Sequence, residues 1–245
     1  MASPVKLYQR EMHDNLGFFP TWLPGDRIEI GDVGILEGGR FRRMTSLAEL
    51  GIAGKTEAGA ATQDVQYTSS EGTKIATTAG AEVTAVAKAE ITVDFTREGA
   101  FVFHASRLRP QYLENRAAVG QEIVKVYKKG QWQKEWLLVE ALHTADRATI
   151  IVSEDSSAGL VLVASAETPL SSISLADPKV GLKIAATHGK VVHIIGGKGL
   201  HPLYSCLRVK DPLFGAPSVQ PVRGAGASGN EVPFARPGID ELLDS

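Results

Sequence analysis

The side chains in this chain that could carry chemistry are six histidines and one cysteine. They are His13, His104, His143, His188, His193, His201 and Cys206. Their spacing matches no metal-binding motif, and the step from His188 to His193 would put these two on opposite faces of a strand. Cys206 lies in the apolar run LYSCLRV, which predicts a buried, unreactive thiol. We therefore predict no metal site and no nucleophile.

Two glycine-rich segments resemble phosphate loops, but neither has the context that such a loop needs. GGKGLHP at 196–202 lacks the P-loop spacing and no predicted helix follows it, so we predict a β-turn there. RGAGASG at 223–229 follows no predicted strand, as a dinucleotide site would require. A G-x-S-x-G nucleophile elbow is also absent from the sequence. The sequence thus predicts no catalytic residue and no cofactor.

The composition is that of an ordinary globular protein. The 245 residues are 43% hydrophobic and 22% charged, with a net charge of −2, so the overall charge does not favour nucleic acid. A single cysteine excludes an intramolecular disulfide and fits a reducing compartment. The first residues lack the apolar core of a signal peptide, and no apolar stretch is long enough for a transmembrane helix. These features predict a soluble, cytoplasmic chain.

The most informative segment alternates apolar and polar residues over positions 79–95. Its odd-numbered residues are all apolar: Ala79, Ala81, Val83, Ala85, Ala87, Ala89, Ile91, Val93 and Phe95. The even positions are mostly charged or hydroxyl-bearing, and on a helix these charges would scatter around the apolar residues. The period of two predicts one amphipathic strand, about 55 Å long if straight, where a typical strand has about 5–6 residues.

Periodicity and turn residues place further elements around this strand. Helices are predicted at 5–15 and at 111–129, with Pro110 at the start of the second. A short helix would follow Ser46 and end near Gly51, and 55–72 would be a loop or a weakly ordered strand. Strands are predicted at 28–36, 41–44, 101–105, 135–144, 147–154, 160–166, 180–186, 190–195 and 203–209.

The predicted fold class is α+β, a twisted and mostly antiparallel β-sheet with long amphipathic strands and a few packed helices. The strands at 147–154 and 160–166 would form a hairpin across the turn at 155–159. Residues 1–210 would form the folded domain. Residues 211–245 are rich in proline and glycine and are predicted to be a linker with a short acidic, amphipathic tail.

Basic residues cluster locally although the chain as a whole is slightly acidic. The clusters are Arg40, Arg42 and Arg43, then Arg107 and Arg109, and then Lys125, Lys128, Lys129 and Lys134. Each cluster is either a solvated face or a patch for anionic lipid headgroups, where each basic residue would contribute about 1 kcal/mol.

The order of these elements resembles the pore-forming domain of the gasdermins, particularly the short bacterial members. An early strand with a basic turn at 28–44 precedes the long amphipathic region at 73–95. A basic helix then leads into WLLVEALHTADRATIIVSE at 136–154, and GKGLHPLYSCLRV at 197–209 is similar to the closing strand. The resemblance spans residues 28–210. Bacterial gasdermins typically carry a lipidated cysteine near the N-terminus, and MASPVKLYQ has none, so lipidation is not predicted.

The resemblance implies a precursor of a membrane pore. A protease would remove the C-terminal segment, and the domain would then bind anionic lipid, extend two amphipathic hairpins and assemble with copies of itself into a large β-barrel. The apolar residues of 79–95 would insert into the membrane together with Ile150, Val152, Leu160 and Leu162. In a bacterium this implies a cell-killing antiviral effector that rests in the cytoplasm and acts at the inner membrane.

The C-terminal segment contains residues that suit this scheme. The predicted linker is open to proteolysis, with Arg223 and Arg236 as cleavage candidates. Ile239, Leu242 and Leu243 would form the autoinhibitory tail.

Two other functional classes stay open. The chain would then be a non-enzymatic, β-rich binding or structural protein without a membrane role, in which 79–95 packs on the helix at 111–129. The third alternative is an enzyme whose site the sequence does not reveal.

Overall fold

The computed structural model describes residues 3–22, 27–59, 63–79, 89–164, 175, 182–210 and 217–221. Within these residues there are two helices, α1 (Pro4–Leu16) and α2 (Arg116–Lys128), and thirteen strands. The strands are β1 (Phe19–Pro20), β2 (Asp32–Glu37), β3 (Arg40–Ser46), β4 (Thr56–Ala58), β5 (Gln63–Thr68), β6 (Thr73–Ala79), β7 (Ala89–Phe95), β8 (Phe101–Leu113), β9 (Leu137–Ser153), β10 (Ala158–Ala164), β11 (Leu182–His188), β12 (Val191–Lys210) and β13 (Ser218–Pro221).

These strands form two sheets. Nine of the described strands make one sheet, and the other four make a second sheet in the order β11-β10-β7-β6. The described strand registers are all antiparallel. Strands β8, β9 and β12 are long, with 13, 17 and 20 residues. The predicted fold class, an α+β protein with a mostly antiparallel sheet and long strands, is confirmed.

The described residues fall into two compact units. The first lies within Met1–Tyr8, Thr62–Leu108 and Ala145–Leu200. The second lies within Gln9–Ala61, Arg109–Thr144 and His201–Ser245.

The described residues of the first unit include an apolar core. Its buried members come from β7, β8, β9 and β10, from the residue before β8 and from one residue beyond β10: Ile91, Val93, Phe95, Ala100, Val102, Ile151, Leu160, Leu162 and Leu175. Strand β5 pairs with β8, with Val65 opposite Ala105. Leu175 is fixed because its carbonyl accepts a hydrogen bond of 2.7 Å from the buried Thr149 hydroxyl.

The described residues of the second unit include two apolar clusters. One packs Phe19 and Tyr204 in a stacked pair, with ring centroids 5.5 Å apart, among residues of β2, β9 and β12. The other holds α2 in place, because Val119 and Ile123 pack against Leu207 and other buried residues. Helix α2 is therefore positioned by its apolar face, as helices in globular proteins generally are.

Helix α2 begins later than predicted. The sequence suggested a start at 111, after Pro110, but 111–113 continues strand β8 and pairs with β4. Asn115 precedes the helix, and its side chain accepts a hydrogen bond of 2.8 Å from the Lys55 backbone instead of capping the helix. Pairing with a strand distant in sequence therefore overrides the local helical pattern.

Several predicted strand breaks are also wrong. The runs 135–144 and 147–154 form the single strand β9, and 190–195 and 203–209 form the single strand β12. The predicted turn at Gly196–Gly199 therefore lies inside β12, where Gly199 adopts a φ of +61°. The segment 55–72, predicted to be a loop or a weak strand, contributes β4 and β5. The predicted short helix after Ser46 is a turn, in which Ile52 donates to the Leu47 carbonyl at 2.8 Å.

Gly34 allows the close pairing of β2 with β3. The register shifts between Val33 and Gly34, so the backbone of β3 approaches β2 very closely at this point. A Cβ at Gly34 would overlap the Arg42 carbonyl group and lie 2.7 Å from its carbon. Because these Arg42 atoms belong to the backbone, they cannot rotate away from a Cβ, and position 34 requires glycine.

Gly34→Ala should lower the free energy of unfolding by more than about 3 kcal/mol because β2 and β3 must separate. Gly38→Ala is the matched control. Its φ of +59° disfavours alanine, but nothing lies within 4 Å of its Cβ, so it should cost about 1 kcal/mol. Urea denaturation measures the free energy of unfolding of both variants, and equal decreases in this free energy would contradict the close contact at Gly34.

Candidate functional site

The four-stranded sheet of the first unit contains most of the residues predicted to enter a membrane. Strand β6 pairs with β7, and Ala79 lies opposite Ala89. Because these residues pair antiparallel, the chain reverses its direction between them. The prediction of one straight strand over 79–95 is therefore wrong, and its two ends belong to adjacent strands. Residues 80–88, with Ala81, Val83, Ala85 and Ala87, lie outside the described residues.

The predicted alternation is confirmed in β7. Ile91, Val93 and Phe95 are at most 2% exposed, and the residues between them are only half-buried. Leu160 and Leu162 on β10 lie opposite Val93 and Ile91. The structure thus brings five of the predicted inserting residues together on one apolar face, which packs into the core of the first unit.

This arrangement differs from the packing on helix α2 that the non-membrane alternative predicted. The buried residues of α2, Val119 and Ile123, contact a cluster within the second unit. The apolar face of β7 contacts a cluster within the first unit.

The outer strands of the four-stranded sheet, β6 and β11, are largely exposed. On β6, Lys74, Ala76 and Thr77 are exposed, and Ile75 has 43% of its surface exposed. On β11 the run 185–188 is exposed. Among the described strands, β6 pairs with β7 and β11 pairs with β10, so each leaves one row of backbone groups outside the sheet's hydrogen bonds. Such edges can add a strand from another chain.

Three residues in one row cross the solvent face of this sheet. Gly159 on β10 lies opposite both His188 on β11 and Asp94 on β7. His188 Nε2 is 3.9 Å from Asp94 Oδ1, with both side chains about half-exposed. A Cβ at Gly159 would lie 2.6 Å from the imidazole Cε1 and 2.8 Å from the carboxylate. The missing side chain of Gly159 therefore lets the two outer residues approach each other.

The predicted hairpin of 147–154 with 160–166 is wrong. Strand β9 belongs to the nine-stranded sheet and β10 to the four-stranded sheet, where β10 pairs with β7 and β11. Ile150 and Val152 are buried on β9, and so is Ile151 between them. Burial on both faces explains why this run is apolar without alternation.

The arginine cluster on β3 is largely neutralised. Arg42 forms an ion pair of 2.7 Å with Glu37, and Arg43 forms ion pairs of 2.8 Å with Asp32 and Glu49. The hydrogen bond from Arg43 lowers the pKa of Glu49. Arg40 is exposed on the same strand. Three arginines therefore face three carboxylates, which leaves no net charge.

The lysine cluster at the end of α2 keeps a net positive charge. Lys125 pairs with Glu122 at 2.7 Å. Lys128 and Lys129 are exposed, and the described part of the chain shows no acidic partner for either. Compared with the arginine cluster on β3, the lysines are the better candidate for an anionic surface.

The C-terminal segment contains one unpredicted element. Within the predicted linker, Ser218–Pro221 forms strand β13 on the end of β12. The residues assigned to cleavage and inhibition, Arg223, Arg236, Ile239, Leu242 and Leu243, lie outside the described residues.

Sequence reasoning missed Ile75, Gly159 and β13. For Ile75 a signal was available, because it shares the odd numbering of the apolar row. For β13 no clear signal was available, since Pro217 and Pro221 enclose only three residues.

Among the described residues, the buried polar groups do not come together in a reaction centre. The described residues contain no group of histidine, cysteine or acidic side chains that could hold a metal ion. Cys206 is fully buried, and this burial raises the pKa of its thiol. Burial lowers the pKa of His104 to about 4 and also lowers that of His143. No helix among the described residues combines the length and apolarity needed to cross a bilayer.

Comparison with known proteins adds no relative. No protein-family model matches the chain, and no curated protein matches its sequence.

His104 should make the protein less stable in acid. Burial keeps it neutral in the folded protein, with a pKa of about 4 against 6.5 for an ordinary histidine. As the pH falls, the unfolded chain therefore takes up a proton at this position before the folded protein does. Stability should therefore fall by roughly 2–3 kcal/mol as the pH drops from about 6.5 to about 4. His104→Gln should flatten this dependence in urea titrations. The exposed His193→Gln is the control, and equal curves for all three proteins would contradict the assignment.

Proposed function

We propose that this chain is the precursor of a gasdermin-like membrane pore, held in the cytoplasm until a protease removes its C-terminal tail. The observation that carries the proposal is the four-stranded sheet. It consists of two adjacent antiparallel pairs, β6–β7 and β10–β11, with one apolar face and two exposed edge strands. Each of these features suits a different step of insertion and assembly.

The alternation along these strands suits a bilayer. A spanning strand needs about 9–11 residues with apolar and polar side chains on opposite faces. Strands β6 and β7 have seven residues each, and the period of two continues in the sequence between them. The first hairpin could therefore lengthen into its connecting residues without losing its apolar row.

The exposed edges suit assembly with further copies. If β11 of one copy paired with β6 of the next, the contact would be head-to-tail, and a closing rotation would give a ring. A closed ring leaves no strand edge in the lipid, so every backbone polar group is hydrogen-bonded. Four strands from each copy would then line the pore.

The apolar face is covered in the resting fold. Ile91, Val93 and Phe95 lie in the core of the first unit, so activation must exchange this core for lipid. Burial in either medium removes the side chains of this face from water, so their own hydrophobic term is nearly balanced. Val102 and Ile151, which belong to the same core, would lose this cover, and activation has to compensate for their exposure.

Activation can be tested on the full chain with a site-specific protease sequence placed at 224–230. After cleavage the protein should release dye from anionic liposomes, and the uncleaved protein should not. A binding or structural protein, the alternative function, would release none in either form.

Ile75→Glu should abolish the pore while sparing the resting fold. Ile75 is 43% exposed on the edge strand, yet it lies opposite Val93 and on the same face. A charge in this row would face lipid at a cost of at most about 2 kcal/mol in each copy, and this cost is repeated in every copy of the ring, so dye release should slow at least tenfold. Ala76→Glu is the matched control. Its side chain is exposed on the opposite face, next to Thr92, and release should continue.

Equal effects of the two glutamates on dye release, with both proteins folded by circular dichroism, would contradict insertion of this face.

Lys128 and Lys129 should carry most of the lipid attraction. Replacing both by glutamine should weaken binding to anionic liposomes about 30-fold, since each lysine near the surface contributes about 1 kcal/mol. Arg40→Gln with Arg42→Gln removes the same charge from the neutralised cluster and should weaken binding less than about threefold. Cosedimentation measures both, and a larger loss from the arginine pair would place the lipid contact on β3.

A further inference from the structure

An apolar groove lies beside strand β13 in the second unit. It has a volume of about 490 Å³, within the range of sites that bind ligands. One wall is the face of α2 that carries Ala117, Gly120 and Val124, and Leu207 of β12 contributes to the lining. These helical positions recur at steps of three and four, so they form one continuous stripe.

Strand β13 forms the opposite wall. Val209 on β12 lies opposite Val219, and a Cβ at Gly120 would be 3.5 Å from the Val219 Cβ. The chain therefore touches α2 at Gly120, and the space beside Val124 stays open. The C-terminal segment already passes along this groove before it leaves the described part of the chain.

The segment that follows has side chains of the right kind. Residues 239–243 read IDELL and place Ile239, Leu242 and Leu243 at the spacing i, i+3 and i+4. On one helical turn these three would form a single apolar face. No other stretch of 222–245 combines three large aliphatic residues within five positions.

The charges of the two partners are complementary. Asp240, Glu241 and Asp244 surround the apolar residues of the tail. Lys128 continues the stripe of α2 four residues beyond Val124, about 6 Å along the axis. Arg116 at the other end of the groove already pairs with the buried Glu140 at 3.1 Å, so the lysines supply the net positive charge.

The tether between β13 and the tail is short enough to favour this contact. Seventeen residues lie between Pro221 and Ile239. A flexible chain of this length spans about 25 Å, which gives an effective concentration in the millimolar range. Even weak docking would therefore be well populated within one molecule.

We propose that residues 239–243, the inhibitory tail of the proposed pore function, dock in the groove between α2 and β13. The regulatory part of the proposal rests on the proposed pore function. Arg223 and Arg236 both lie between β13 and the tail, so cleavage at either would free the tail and leave β13 on β12. The groove, and the lysines at its end, would then be open to the membrane.

The test is hydrogen exchange of the full chain, followed by mass spectrometry. Leu242→Asp with Leu243→Asp should raise exchange in 116–124 and 217–221 about tenfold, because the docked tail no longer protects them. Ala117→Glu should have the same effect by placing a charge in the groove. Ala118→Glu is the matched control, since this exposed neighbour does not line the groove, and its exchange should stay within about twofold of the parent.

Dye release gives a second readout that depends on the pore. The tail variant should release dye without a protease if both proposals hold. Faster exchange without release supports docking and contradicts the pore. Unchanged exchange in the tail variant overturns docking, whatever the liposomes show. If protection survives in the tail variant but is lost on dilution, the occupant of the groove is a second copy of the chain. If protection appears only with liposomes, the occupant is lipid. Either result also overturns docking of the tail.

Discussion

A β-strand points successive side chains to opposite sides, and this constraint governs the four-stranded sheet. Once Val93 faces inward, Ile91 and Phe95 must face inward as well, while Thr92 and Asp94 face water. The apolar row therefore needs a cover, and in this structure the cover is the core of the first unit. Any state that removes this core must supply another apolar medium, and a bilayer is one that a cell offers.

The edge strands make the same sheet open to growth. Proteins usually protect such edges with charges, prolines or bulges, because free backbone groups invite pairing with other chains. Here β11 has a bulge opposite β10, between Val161 and Leu162, and Lys74 and Lys183 lie on the two outer strands. These features protect the edges only lightly. Under our proposal, control comes instead from the C-terminal segment beside α2 and β12.

The sequence predicted the side-chain pattern better than the path of the chain. Alternation identified the buried face of β7 because burial follows directly from period two. Alternation could not show that the chain reverses its direction between Ala79 and Ala89, since the residues on the same face of both strands of a hairpin can all have odd numbers. The break placed at Gly196–Gly199 failed because pairing with neighbouring strands held the glycines in β12. The groove beside β13 depends on contacts between segments far apart in sequence, which no local pattern reports.

The most direct test asks where the two faces of β6 lie after activation. Cysteines introduced singly at Ile75 and Ala76 can carry an environment-sensitive dye, because Cys206 is buried and stays unlabelled in the native protein. After cleavage with anionic liposomes, our account predicts that a quencher in the lipid tails quenches the dye at 75 but not at 76. Equal quenching at both positions, or none at either, would contradict insertion of the sheet.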